Sequence, residues 1–273
     1  MSATMPFSQT TPGDTAVLTA VVGAVRDAGR RLLGGYSADA RPLDRAGLLA
    51  AIEENERTSA DELRVALAAA RPAAGWVTEE TETAELPPGE WWAVDAVEGN
   101  VNHVHGLPEW CVSATLLRDN VPVLTAVYQP VADVVHSAIR GGGAFADGRR
   151  LRVSAKSDLG VAIATTGQAE AGQHETYRRI GEAITAMLGR TLLVRATVPS
   201  TFPMLLVAAG HADLFWQYRP TLPGVAAGAL LVAEAGGLVT DLAGAPWRPG
   251  SADIIASAPA LHAGALDVLS TVD

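Results

Sequence analysis

The stretch Trp91-Trp92-Ala93-Val94-Asp95-Ala96-Val97-Glu98-Gly99-Asn100-Val101-Asn102-His103-Val104-His105-Gly106 decides how this chain is read. Four consecutive apolar residues read as a buried strand that delivers Asp95 to its end. A carboxylate in that place is costly unless it is paired, hydrogen-bonded or bound to a metal. Two more acidic groups accompany it: Glu79-Glu80 after a short strand near 75–78, and Glu53, Glu54 and Glu56 on a predicted helix. Carboxylates at strand ends reach the cleft beyond a sheet edge, where hard cations such as Mg²⁺ find oxygen ligands. For Glu53 and Glu54 a solvated helix face is the better reading.

Outward from this stretch, apolar residues at helical spacing predict helices over 18–33, ending at Gly34-Gly35, and over about 44–70. The polar segment 81–90, with Pro87-Pro88, is a loop. Strands follow at about 111–118, 122–129 and 133–139, a mostly antiparallel meander. The glycine-rich Arg140-Gly141-Gly142-Gly143-Ala144-Phe145 has neither the Lys-Ser/Thr pair nor the following helix of a phosphate loop, and reads as a hairpin connection. Beyond 160 the pattern alternates: helices at 173–188, 200–210, 224–235 and 259–270, strands at 191–196 and 213–217, and short strands near 238 and 254. Alternating layers predict an α/β protein, an αβαβα sandwich in two halves, 1–150 with the acidic motifs and 151–273 completing the cleft.

The chain's 273 residues supply ample core, and 48% hydrophobic with 18% charged residues is a globular composition. A net charge of −10, with no Lys/Arg cluster, argues against nucleic-acid binding. The single Cys111 excludes an internal disulfide and, within its apolar run, reads as a small core residue. Lys156, the only lysine, lies in a turn-like segment and reads as solvated surface. Residues 1–11 lack the pattern of a signal peptide and no apolar run reaches membrane-spanning length, so a soluble, cytoplasmic protein is expected.

The stretch 95–106 resembles the inositol monophosphatase signature Asp-Pro-Ile-Asp-Gly-Thr-x-Asn-Phe-x-His-Gly. Thr78-Glu79-Glu80, Gly141-Gly142-Gly143-Ala144-Phe145, Gly210-His211-Ala212-Asp213 and Glu234-Ala235-Gly236-Gly237 match further motifs of that family in order, over a span from about 16 to the C-terminus. The resemblance implies a fold of the inositol-monophosphatase/fructose-bisphosphatase type. It also implies metal ligands at Glu79, Asp95, Glu98, Gly224 and the Val97 backbone, water-orienting groups at Asn100 and Glu56, and Mg²⁺ ions bridging a phosphate ester. A homodimer follows by the same analogy.

The chain departs from the family pattern in its catalytic motifs. Position 98 is Glu instead of Asp, 100 is Asn instead of Thr, 56 is Glu instead of Asp, and Gly224 stands where the family has a metal-binding Asp. Packing motifs are spared. His103 replaces an aromatic residue, and on an extended segment it would share a face with His105 and pair with Glu98 and Asp95 as a general acid/base. Packing is an equal reading for His103 and the favoured one for His105. Trp216, Tyr218, Arg219, Gly99 and Gly224 are the candidate substrate contacts, with Arg219 meeting a carboxylate or phosphate.

Coordinated loss at 98, 100 and 224 predicts an enzyme that has abandoned metal-dependent hydrolysis, needs no cofactor and does acid/base chemistry on a small metabolite as a cyclase, dehydratase or isomerase. The alternative is a Mg²⁺-dependent phosphatase of a sugar, cyclitol or related monoester. A non-catalytic ligand-binding protein ranks third.

Overall fold

The computed structural model describes residues 13–78, 81–169 and 171–272. Helix α1 (Asp14–Gly35) buries Val17, Val21, Ala24, Val25, Ala28 and Leu32 along one stripe. Helix α2 (Arg45–Ala70) is capped by Asp44, whose side chain accepts from the Gly47 N–H at 2.8 Å, and buries Asn55, Ser59, Leu63 and Leu67 at four-residue spacing. Both helices lie on one face of the first sheet. Buried Asp14 ties them together at one end, accepting from Arg71 at 2.8 Å and Arg118 at 3.1 Å, while Glu90 also holds Arg118.

The first sheet runs in sequence order through β1 (Gly75–Trp76), β2 (Glu90–Glu98), β3 (Cys111–Arg118), β4 (Val121–Gln129), β5 (Val134–Ile139), β6 (Gly143–Ala146) and β7 (Arg149–Arg150). β1 pairs with β2 in parallel; the other neighbours are antiparallel, the meander that alternation predicted. The glycine-rich turn connects β5 to β6 as a hairpin. Its Gly141 and Gly143 have positive φ, and their N–H groups donate to the Glu234 carboxylate at 2.7 and 2.8 Å.

The second sheet is mixed, in the order β11 (Leu238–Thr240), β12 (Asp253–Ser257), β10 (Leu214–Tyr218), β8 (Ile163–Thr166), β9 (Leu193–Ala196). Helices α5 (Thr201–Ala208) and α6 (Leu222–Glu234) fill the space between the sheets, with Met204, Val225, Ala226 and Leu230 packed against Ala93, Val127, Phe215 and Ile254. Helices α4 (His174–Leu188) and α7 (Pro259–Leu269) cover the outer face of the second sheet. The result is the expected five-layer αβαβα order. Among the described residues no helix is long and apolar enough to cross a membrane.

Two local expectations change and one holds. Residues Asn100–Val104 form a short helix, α3, where an extended segment was expected, because Gly99 at φ 83° turns the chain out of β2. Lys156 is not simply solvated: its ammonium pairs at 2.8 Å with Asp213, which is wholly buried and also accepts from Ser154 and the Ile163 N–H. Cys111 is buried as expected, with its Sγ 3.7 Å from the Glu98 carboxylate.

Candidate active site

Strand side chains alternate between the two faces of a sheet, so residues three apart, such as 95 and 98, should face opposite ways. They do not, because the register of β2 against β3 shifts between Asp95 and Glu98. This bulge re-aims Glu98 to the side of Asp95, and both reach one cleft of about 510 Å³. Gly99 completes the turn. A Cβ there would lie 2.8 Å from the Glu109 carbonyl oxygen, so only glycine fits the approach of these two segments.

The two acids form an electrostatically uncompensated pair. Asp95 accepts the Val97 N–H at 3.0 Å. Burial, joined by the charges of Glu56 and Glu82, pushes its carboxyl up to about 6. Glu98, 3% exposed, accepts the Thr201 N–H at the start of α5 at 3.1 Å. Burial and the charge of Asp95 push it up to about 8. Among the described residues no Lys or Arg lines the cleft or pairs with either acid. The lone carbonyl implied at Val97 adds no charge, and Gly224, which lines the same cleft, supplies no carboxylate. Glu79 and its neighbour Glu80 lie outside the described residues.

Asn100 opens α3 at the cleft wall. Its Oδ1 accepts from Asn55 Nδ2 at 2.7 Å and its Nδ2 donates to the Ile52 carbonyl at 3.1 Å, so the amide is held in one orientation. The partner on α2 is therefore Asn55, one residue before Glu56. Glu56 is exposed and acts on the cleft through its charge on Asp95. Asn55 escaped the sequence reading; its signal was a polar residue standing on the buried stripe of α2, four before Ser59 and eight before Leu63.

His103 does not pair with Glu98 or Asp95. The helical turn of α3 carries it to the opposite side, where its Nδ1 accepts from Asn55 at 2.9 Å and its Nε2–H donates to the Leu32 carbonyl at 3.1 Å. It is 3% exposed, edge-on to Trp110 and Tyr36, and burial lowers its pKa instead of neighbouring acids raising it. Both nitrogens being committed, it serves packing and the Asn55 network. His105 caps its own helix, its ring bonding the Val101 carbonyl at 2.7 Å.

The expected substrate contacts are likewise sorted by strand alternation. Trp216 and Tyr218 point to the outer face of β10, buried against α4 and α7 with Leu214. Gln217, between them, faces inward and lines the cleft, where the Ser200 hydroxyl donates to its Oε1 at 2.6 Å. Arg219 sits exposed at φ 49° past the strand end and is no part of the cleft wall. Asn102 fastens the floor by donating to the carbonyls of Glu109 and Val198 at 2.7 and 2.9 Å.

Among the described residues no three His, Cys, Asp or Glu side chains converge as a metal cage. The fit to Mg²⁺ is nonetheless good in kind. Magnesium is commonly held by one or two carboxylates with water and substrate phosphate completing its shell, and a partly buried Asp95 whose charge raises the pKa of buried Glu98 makes a donor set that gains from a hard cation.

Comparison with known proteins identifies relatives of this chain. The model of the inositol monophosphatase family matches residues 14–272. The chain is 32% identical over 241 residues to inositol-1-monophosphatase of Rhizobium meliloti, covering 87% of this chain and 90% of that protein. It is 37% identical over 186 residues to inositol monophosphatase 2 of Solanum lycopersicum, covering 64% and 69%. Its fold superposes on the inositol monophosphatase of Anabaena with a TM-score of 0.81 at 25% identity, over 95% of this chain and 96% of that one. These relatives overturn the expectation of a repurposed cyclase, dehydratase or isomerase and favour the phosphatase alternative. The physical reason accords with them: the histidine that acid/base chemistry required is locked in the core, and Asp95 and Glu98 have no counter-charge among the described residues.

Proposed function

Because the chain belongs to the inositol monophosphatase family, we propose that it is a Mg²⁺-dependent phosphomonoesterase acting on a small alcohol phosphate. The observation that carries this reading is the Asp95–Glu98 pair, aimed into one cleft by a bulge and left without a basic partner among the described residues. Asp95 and Glu98 are the residues to hold the cation. When bound, Mg²⁺ would offset the phosphoryl charge and acidify an attacking water.

The remaining work falls to the chain's own groups. Thr201 fixes the Glu98 carboxylate from the start of α5, and the Val97 N–H fixes that of Asp95. Asn55 holds the Asn100 amide so that the second lone pair of Oδ1 remains to accept from a water in the cleft. An amide orients such a water but takes no proton from it. Ser200 and Gln217 present neutral hydrogen-bonding groups to the alcohol.

Phosphate release from a panel of small phosphate monoesters, titrated with Mg²⁺ to millimolar levels, tests the reading. Metal-dependent release that falls by about three orders of magnitude in Asp95→Asn is expected. Absence of release at every Mg²⁺ concentration, or release indifferent to metal, would refute it.

A further inference from the structure

The active-site cleft does not end at the groups that face Asp95 and Glu98. Gln168, Ala169 and Val198 line it, and the same three residues line a second cavity of about 340 Å³ beyond them. The two spaces thus adjoin across a shared wall. Gly167 stands at the junction, where a Cβ would come within 2.7 Å of Gln217 Oε1 and 2.9 Å of Ser200 Oγ. Any side chain at 167 would displace the pair that lines the cleft.

The annex differs from the cleft in chemistry. Its far side is built by Tyr177 and Ile180 of α4 and by Ala196 at the end of β9, and among the described residues no charged side chain lines it. Tyr177 and Val198 are both 38% exposed, large apolar surface turned toward open space. The Tyr177 hydroxyl accepts the Gly172 N–H at 2.7 Å, and its ring packs edge-on against His174 at 5.4 Å between centroids. A free cyclitol, hydroxylated on every carbon, would find few partners here, whereas an apolar ring would be desolvated on several sides.

We propose that the annex receives an apolar ring carried by the alcohol of the substrate, so that the preferred ester is a ring-bearing phosphate monoester. The proposal rests on the phosphatase reading and adds its specificity. Tyr177, Ile180 and Ala196, which line the annex and not the active-site cleft, are the determinants, with Val198 on the wall between the two.

The test compares 2-phenylethyl phosphate with ethyl phosphate, whose reacting centres and leaving alcohols are chemically alike. The wild type should show a kcat/KM at least about tenfold higher for the phenylethyl ester, since even one added methylene in a fitting pocket is worth that much. Ala196→Trp, which fills the annex from an exposed edge position, should erase the preference and leave ethyl phosphate turnover unchanged. Tyr177→Ala, at a part-exposed helix position, should reduce the preference by removing a wall and serves as the second variant. Equal kcat/KM for the two esters in the wild type, or a preference untouched by both variants, overturns the proposal. If neither ester is hydrolysed, the wider monoester panel decides the phosphatase reading and calorimetry decides the annex. Tighter binding of the phenylethyl ester, lost in Ala196→Trp, supports it, and equal binding of the two esters overturns it.

Discussion

Neutralising Glu98 should stabilise the metal-free protein while destroying its activity. In the folded chain this carboxyl is moved from 4.5 to about 8, by burial first and by Asp95 second. A group whose folded pKa is raised contributes stability that is fully present below its unfolded pKa and lost as pH rises through the folded value. The cost of ionised Glu98 therefore develops between about pH 4.5 and 8. At about 1.4 kcal/mol per unit, and with part of the shift shared with Asp95, this is ~2–4 kcal/mol by pH 9. A chain of this length unfolds with an entropy near 0.6 kcal/mol per degree, so Glu98→Gln should raise Tm by roughly 4–7 °C at pH 9 in chelator. The glutamine oxygen can still accept from the Thr201 N–H, which keeps the packing. Calorimetric scans from pH 5 to 9 provide the assay. The two proteins should converge at pH 5, and the histidine titrations common to both cancel in the difference. Added Mg²⁺ at pH 8.5 should raise the wild-type Tm, by about 2.7 kcal/mol of stability at a hundredfold excess over Kd, and raise that of the variant less. A variant no more stable than wild type at pH 9 without metal would show that the acid pair carries no electrostatic cost, and the metal-site reasoning would fall with it.

Two other outcomes follow from the buried polar groups. Asn55→Leu strands Asn100 Oδ1 and His103 Nδ1 at once; it should cost about 1–3 kcal/mol in urea unfolding and lower kcat by about tenfold or more with KM little changed. His136 is buried with no partner for Nδ1 among the described residues and is held down to about 4 by that burial. Its folded pKa being depressed, stability should decline as pH falls from 6.5 toward 4, by about 3 kcal/mol, and urea midpoints at pH 7 and 4.5 should show a shallower decline in His136→Phe.

Much of this fold is legible in local pattern. The four-residue stripes of α1 and α2, the alternation of β3 to β5 and the turn glycines each depend on neighbours a few positions away, so the sequence by itself determines most elements and their layering, though not β8 at Ile163–Thr166 or the short helix α3. It also singles out Asp95, because an acid directly after four apolar residues is conspicuous in any conformation. What it does not determine is direction. Whether Asp95 and Glu98 face one cleft depends on a slip of β2 against β3, a pairing between distant segments. Whether His103 meets acids or the core depends on a single left-handed glycine that winds 100–104 into a helix. The partner of Asn100 comes from α2, 45 residues earlier in the chain, and Gln217 displaces its two aromatic neighbours from the cleft only because β10 is sandwiched with one face inward. Those choices belong to tertiary packing: burial and hydrogen-bond satisfaction are summed over surfaces that no short window of residues contains.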